Sequence, residues 1–158
     1  MTGRINLRKL LLGGLIAGTV ISVGDVVLFG SIVKAPMAVA MQRLPPMTSA
    51  WRAAEVPWFI LLDVVAGIFL IWLYAAIRPR FGAGVRTAVI AGLAGWFSAG
   101  LLCNLIQLPN GIMPLGLTII IIAFVLIEYV LAAVIGAKIY TEDSSTLPQT
   151  SHERRPPR

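Results

Sequence analysis

Charge is the scarcest ingredient of this chain. Of its 158 residues only 13% are Asp, Glu, Lys or Arg, about half the share of an ordinary soluble domain. A folded soluble domain with a solvated surface is therefore excluded. There is one cysteine, Cys103, so no disulfide can form within the chain. There is one histidine, His152, in the polar C-terminal tail. Its position excludes a haem held by paired histidines, a His/Cys zinc site and a Ser-His-Asp or Cys-His catalytic set inside the apolar part. No basic run is interleaved with aromatics, so nucleic acid is not an expected partner despite the net charge of +6. With no nucleophile–base set and no ligand cluster, neither an enzyme nor a cofactor is expected.

What the chain has instead is hydrophobic length. Four apolar stretches cover residues 10–32, 58–77, 87–108 and 115–139. A helix of roughly 20 such residues crosses the hydrocarbon core of a bilayer. The expected fold is all-α, a four-helix transmembrane bundle over residues 1–140, followed by a tail, 141–158, too polar and proline-containing to bury a core and hence disordered.

The basic residues orient it. Arg4, Arg8, Lys9, Arg78, Arg80, Arg86, Lys138, Arg154, Arg155 and Arg158 fall on one side; Lys34, Arg43 and Arg52 fall on the other. Short loops rich in Lys and Arg stay cytoplasmic, which predicts both termini inside. The basic start and Ala38-Val39-Ala40 imitate a signal peptide, but the first apolar run exceeds the usual 7–15 residues and contains Asp25, so it is read as a retained helix.

The connections differ. Pro109-Asn110-Gly111 with Pro114 predicts a tight outer turn between the third and fourth spans. Arg78-Pro79-Arg80-Phe81-Gly82 closes the second span. In the first outer loop Met37, Ala40, Met41 and Leu44 lie on one helical face, which predicts a short helix resting at the membrane surface, broken at Pro45-Pro46. Trp51 and Trp58 fit an outer aromatic belt.

Small residues predict where helices meet, because lipid supplies no hydrophobic push between them. Gly14, Gly18 and Ser22 recur every four residues in the first span. Ala91, Gly95, Ala99 and Cys103 do so in the third. The expectation is that these two stripes pack on each other, within one chain or, for Gly14 and Gly18, between two copies in a homo-oligomer.

Three carboxylates interrupt the spans: Asp25, Asp63 and Glu128. A charge at the bilayer centre costs about 2.5–3.5 kcal/mol on the mildest scale, so such residues face a bundle interior or water. Helical spacing puts Asp25 on the Gly14–Gly18–Ser22 stripe, Asp63 above Ala66 and Gly67, and Glu128 before Ala132 and Gly136. Counted from the helix ends at about 1.5 Å per residue, Asp25 and Asp63 lie roughly 10 Å below the outer surface, beside Asn104 and Gln107, and Glu128 lies about twice as deep. No Lys or Arg is placed deep enough to pair with them, so at least one is expected to hold its proton. Two roles follow: hydrogen-bonding glue between helices, or a proton- or cation-binding cluster at the outer mouth with Glu128 as a deeper station.

Gly24-Asp25 resembles the Gly-Asp of intramembrane aspartyl proteases, but Asp63 lacks the matching context and four spans are too few. The small multidrug-resistance transporters also use four helices, with an essential glutamate in the first; Asp25 stands there without their surrounding motif. The segments Asn6-Leu7-Arg8-Lys9-Leu10 leading into Gly13-Gly14-Leu15-Ile16-Ala17-Gly18, and Trp72-Leu73-Tyr74-Ala75-Ala76-Ile77-Arg78-Pro79-Arg80-Phe81-Gly82, resemble a group of small four-helix bacterial membrane proteins without assigned function. The resemblance runs through Tyr140 and implies fold and bacterial inner-membrane location only. The expected activity is a structural part of, or accessory to, a membrane assembly; the alternative is a small proton- or ion-coupled transporter or channel subunit. The expected partners are the lipid bilayer and a second copy or another membrane protein.

Overall fold

The computed structural model describes residues 6–42, 44–45, 49–111 and 113–140, with the side chains of 49–53 excepted. The tail expected to be disordered and the side chain of Trp51 lie outside the described residues. Those described are mostly helical, with no strand among them. Four helices are long and apolar enough to cross a membrane. We number five: α1 (Leu7–Ile32), the short α2 (Lys34–Met41), α3 (Ser49–Phe81), α4 (Val85–Asn110) and α5 (Leu115–Ile139). Apolar chains take this form because a helix satisfies its backbone N–H and C=O groups internally, which hydrocarbon demands.

The boundaries are set by local chemistry. Asn6 caps α1, its side-chain oxygen accepting from the Lys9 N–H at 3.1 Å. The second long helix, α3, is longer than its hydropathy suggests, because it continues through Pro57 and Pro79. Proline removes one N–H from the ladder without ending a membrane helix. The chain leaves α3 at Gly82 and enters α4 after Gly84, with φ of 84° and 136° respectively, conformations open to glycine. Thr87 Oγ donates to the Gly82 carbonyl at 2.7 Å, and the Gly84 N–H donates to the Tyr74 hydroxyl at 3.2 Å. Tyr140 packs edge-on to Tyr74, and the Arg78 guanidinium stands 5.8 Å from the Tyr140 ring centre. This end of the bundle is thus tied by the Arg-Pro-Arg-Phe-Gly segment. At the opposite end, α4 finishes in a 3₁₀ turn over Leu108–Asn110 and reverses at Gly111, φ 65°, as the tight turn requires.

Close approaches of glycine fix the helix pairing. A Cβ on Gly18 would lie 2.7 Å from the Val64 Cα, and one on Gly67 would lie 2.6 Å from the Gly18 Cα. A Cβ on Gly13 would meet the Gly136 carbonyl oxygen at 2.7 Å, and one on Gly92 the Val130 Cα at 2.8 Å. Neighbours along the chain therefore run antiparallel: α1 packs on α3 and α5, and α4 packs on α5 and α3. The expected packing of the first span on the third is corrected here. Gly14 and Gly18 meet α3 at Ile68 and Val64, whereas Ala91 and Gly95 are buried toward α5 and α3, Gly95 against Leu70 and Tyr129. A stripe of small residues permits close approach without naming its partner. The glycine contacts name the partner instead, α3 for Gly14 and Gly18 and α5 for Gly13.

Ala99 is a second correction. It is exposed, as is Cys103, while Gly100 is buried. The cause is a π-helical segment at Trp96–Leu102. A π turn holds an extra residue, so the inward face passes from Gly95 to Gly100 rather than to Ala99. Trp96 sits at this shift and donates its indole N–H to the Ile122 carbonyl of α5 at 2.9 Å. In α2 the predicted face is half realised: Ala40 is buried and Met37 packs on the core, but Met41 and Leu44 are exposed.

Two apolar clusters fill the interior. One holds Leu10, Ala17, Ile21, Leu70, Ile71, Ala88, Ala91 and Ala132, near the end tied by Tyr74 and Tyr140. The other holds Leu28, Val33, Leu117, Ile121 and Val125, under α2 and the α4–α5 turn.

Candidate functional site

The carboxylates lie between those clusters. On α1, Ile21 belongs to the first and Leu28 to the second; Gly24 and Asp25 fall between. On α5, Ala132 belongs to the first and Val125 to the second; Glu128 falls between. Tyr129 touches both. Asp63 enters from α3, where Gly18 rests on its carbonyl group.

Asp63 is 8% exposed and accepts a hydrogen bond from Ser22 Oγ at 2.7 Å. That bond joins α1 to α3 and accounts for a serine where the stripe otherwise uses glycine. Asp25 is half-buried, three residues before a second π-helical segment, Leu28–Ile32, closed by the Val33 N–H donating to the Leu28 carbonyl at 2.9 Å. Such segments recur at functional sites, where they re-aim side chains.

Glu128 differs from both. It is 5% exposed, and neither carboxyl oxygen has a hydrogen-bond partner. Its carboxyl group is laid against Gly24: a Cβ there would overlap Oε1 and lie 2.7 Å from Cδ. The three acids are within electrostatic reach of one another. Three helices thus bring three acidic side chains together, and the most buried of them has an unmet capacity to hydrogen bond.

Glu128 is therefore not the separate deeper station that residue counting implies. It reaches the level of Gly24, next to Asp25. Counting from helix ends places the backbone, whereas a helical side chain leans toward the N-terminus of its helix, which for α5 is the end where Leu117 and Ile121 pack with Leu28. Asn104 and Gln107 do not join the acids. Asn104 donates to the Gly100 carbonyl of its own helix at 2.7 Å, and Gln107 is exposed and accepts from Asn110 at 2.8 Å. Their helix packs chiefly on α3 and α5. Gly24 belongs to the site and was not distinguishable in the sequence as more than the neighbour of Asp25.

Comparison with protein-family models, curated proteins and solved structures gives no match to this chain. The chain is defined by its class, a bundle of four helices of membrane-spanning length with a buried carboxyl centre.

Proposed function

We propose that the protein is a multi-pass protein of a bacterial inner membrane, with both termini cytoplasmic, that binds a proton or small cation at Asp25, Asp63 and Glu128 as a small coupled transporter or channel subunit. The supporting observation is Glu128. An acid serving as glue forms a hydrogen bond across an interface, as Asp63 does with Ser22. Glu128 makes none among the described residues, at 5% exposure. Burying an unsatisfied polar group costs roughly 1–3 kcal/mol, a cost that a purely structural position would shed through an apolar side chain. Its presence fits a group that takes up and releases a charge.

The test is uptake into vesicles under proton and salt gradients, wild type beside Glu128→Gln. Glutamine keeps the shape and cannot release a proton, so the variant folds and loses pH-dependent flux. Wild-type vesicles without flux under every gradient, or flux unchanged in Glu128→Gln, refute the reading. The second reading, a non-enzymatic structural or accessory subunit, draws on the Ser22–Asp63 bond and the contacts of Gly14 and Gly18 with α3, which join helices. It predicts full function in Glu128→Gln.

A further inference from the structure

The Gly24–Glu128 contact bears on which ion the centre takes. A magnesium or calcium ion needs about six or more oxygen ligands at roughly 2.0–2.6 Å. Among the described residues no group of three His, Cys, Asp or Glu side chains is placed to hold a metal ion. The Glu128 carboxyl already lies against the main chain of α1, in the space that any side chain at position 24 would fill. Space taken by backbone is closed to a coordination shell. A proton needs no shell: it sits on one carboxyl oxygen and makes that oxygen a donor.

Resting on the reading of the three acids as a binding centre, we infer that its ligand is the hydrogen ion and that Gly24 is the positioning residue that seats Glu128 to receive it. The groups facing Glu128 are Asp25 from α1 and Asp63 from α3, with Tyr129 beside it on α5. From α4, Cys103 comes within electrostatic reach of Tyr129. No Lys or Arg is among these groups, so the charge balance at the centre changes by proton uptake. A proton leaving Glu128 keeps its charge in the centre if Asp25 or Asp63 accepts it. Gly24 permits this by bringing Glu128 to α1. A methyl group there pushes the Glu128 carboxyl off α1 without removing any titratable group.

The test is infrared titration of the full chain in lipid vesicles. A protonated carboxyl has a C=O stretch distinct from that of a carboxylate, and loss of the band in Glu128→Gln assigns it. The wild type is expected to show a Glu128 band that disappears with rising pH and does not respond to added sodium, potassium or magnesium. Gly24→Ala should move its midpoint by about one pH unit or more, within the range that changes of burial and charge produce. Gly24→Ala combined with Glu128→Asp, whose shorter side chain makes room for the methyl, should return the midpoint toward that of Glu128→Asp alone. Gly30→Ala, where an added Cβ meets only Val26 Cγ1 at 4.0 Å, should change nothing. A midpoint unmoved by Gly24→Ala overturns the seat alone. Displacement of the proton by a metal cation overturns the choice of ligand. A Glu128 that never titrates overturns both, together with the reading they rest on. If Gly24→Ala fails to fold, the double variant decides: failure to fold there as well overturns the seat.

Discussion

Gly67→Ala adds one methyl group where two helix backbones approach most closely. Its Cβ would stand 2.6 Å from the Gly18 Cα and closer still to the Gly18 nitrogen and the Gly14 carbonyl oxygen. All three are backbone atoms, so no rotamer change relieves the clash. Ordinary carbon contacts lie at about 3.5–4.0 Å, so α1 and α3 must separate by about 1 Å. A gap of that size forfeits a quarter to a half of each contact across the seam. Overpacking of this kind costs about 1–3 kcal/mol. The helix preference of alanine over glycine, about 1 kcal/mol, offsets part of it. The net expectation is a loss of up to about 2 kcal/mol against the wild type, a factor of up to about 30 in the folded-to-unfolded ratio, and of about 1–3 kcal/mol against a control that gains the same helix preference. The assay is unfolding in mixed detergent micelles, followed by circular dichroism. Gly116→Ala is the control, because a Cβ there meets nothing within 4 Å. Equal midpoints for Gly67→Ala and Gly116→Ala would refute the packing of α1 on α3.

The π-shifted register of α4 predicts that Ala99→Leu is tolerated and Gly100→Leu is not, since a Cβ on Gly100 already meets Trp96 at 2.7 Å and Val125 at 3.0 Å; the same micelle assay reads both. Tyr74→Phe leaves the Gly84 N–H without its hydroxyl acceptor, with an expected cost of about 1 kcal/mol, measured by the same unfolding. Reporters fused after Arg80 and after Tyr140 should read cytoplasmic, and one between Arg43 and Trp51 external; the reverse pattern would sink the proposed orientation.

Hydropathy made the four long helices legible, and the predicted fourth span matches α5 residue for residue. The departures have identifiable reasons. Proline at 57 and 79 reads as a boundary in water, where a broken helix finds other partners, but not in a chain that must keep its backbone bonded. A four-residue stripe reads correctly up to Gly95 and wrongly beyond it, because nothing in Trp-Phe-Ser-Ala-Gly-Leu-Leu announces the extra residue. Of the candidate site, Asp25, Asp63, Glu128 and Ser22 were legible as polar positions on small-residue faces. Asn104 and Gln107 were assigned to the site by depth alone, and depth does not say which helix is adjacent. Gly24 carries no one-dimensional signal of its own: its meaning arises only when α5 is laid beside α1.

The π segment at Trp96–Leu102 has a consequence for how this chain tolerates a change of length. A regular α-helix turns about 100° per residue, so losing one residue from an ordinary span swings everything beyond it off its face. Here the helix carries one residue in excess, and removing it would restore a plain α-helix. The half of α4 nearer Val85 would stay docked on α5, while the part beyond would rotate and carry Cys103 and Asn104 toward the positions their four-residue spacing implies. Length variation in this helix is thus a means of choosing which side chains look inward. A shortened version of α4 would keep the bundle and present a different outer half to its neighbours.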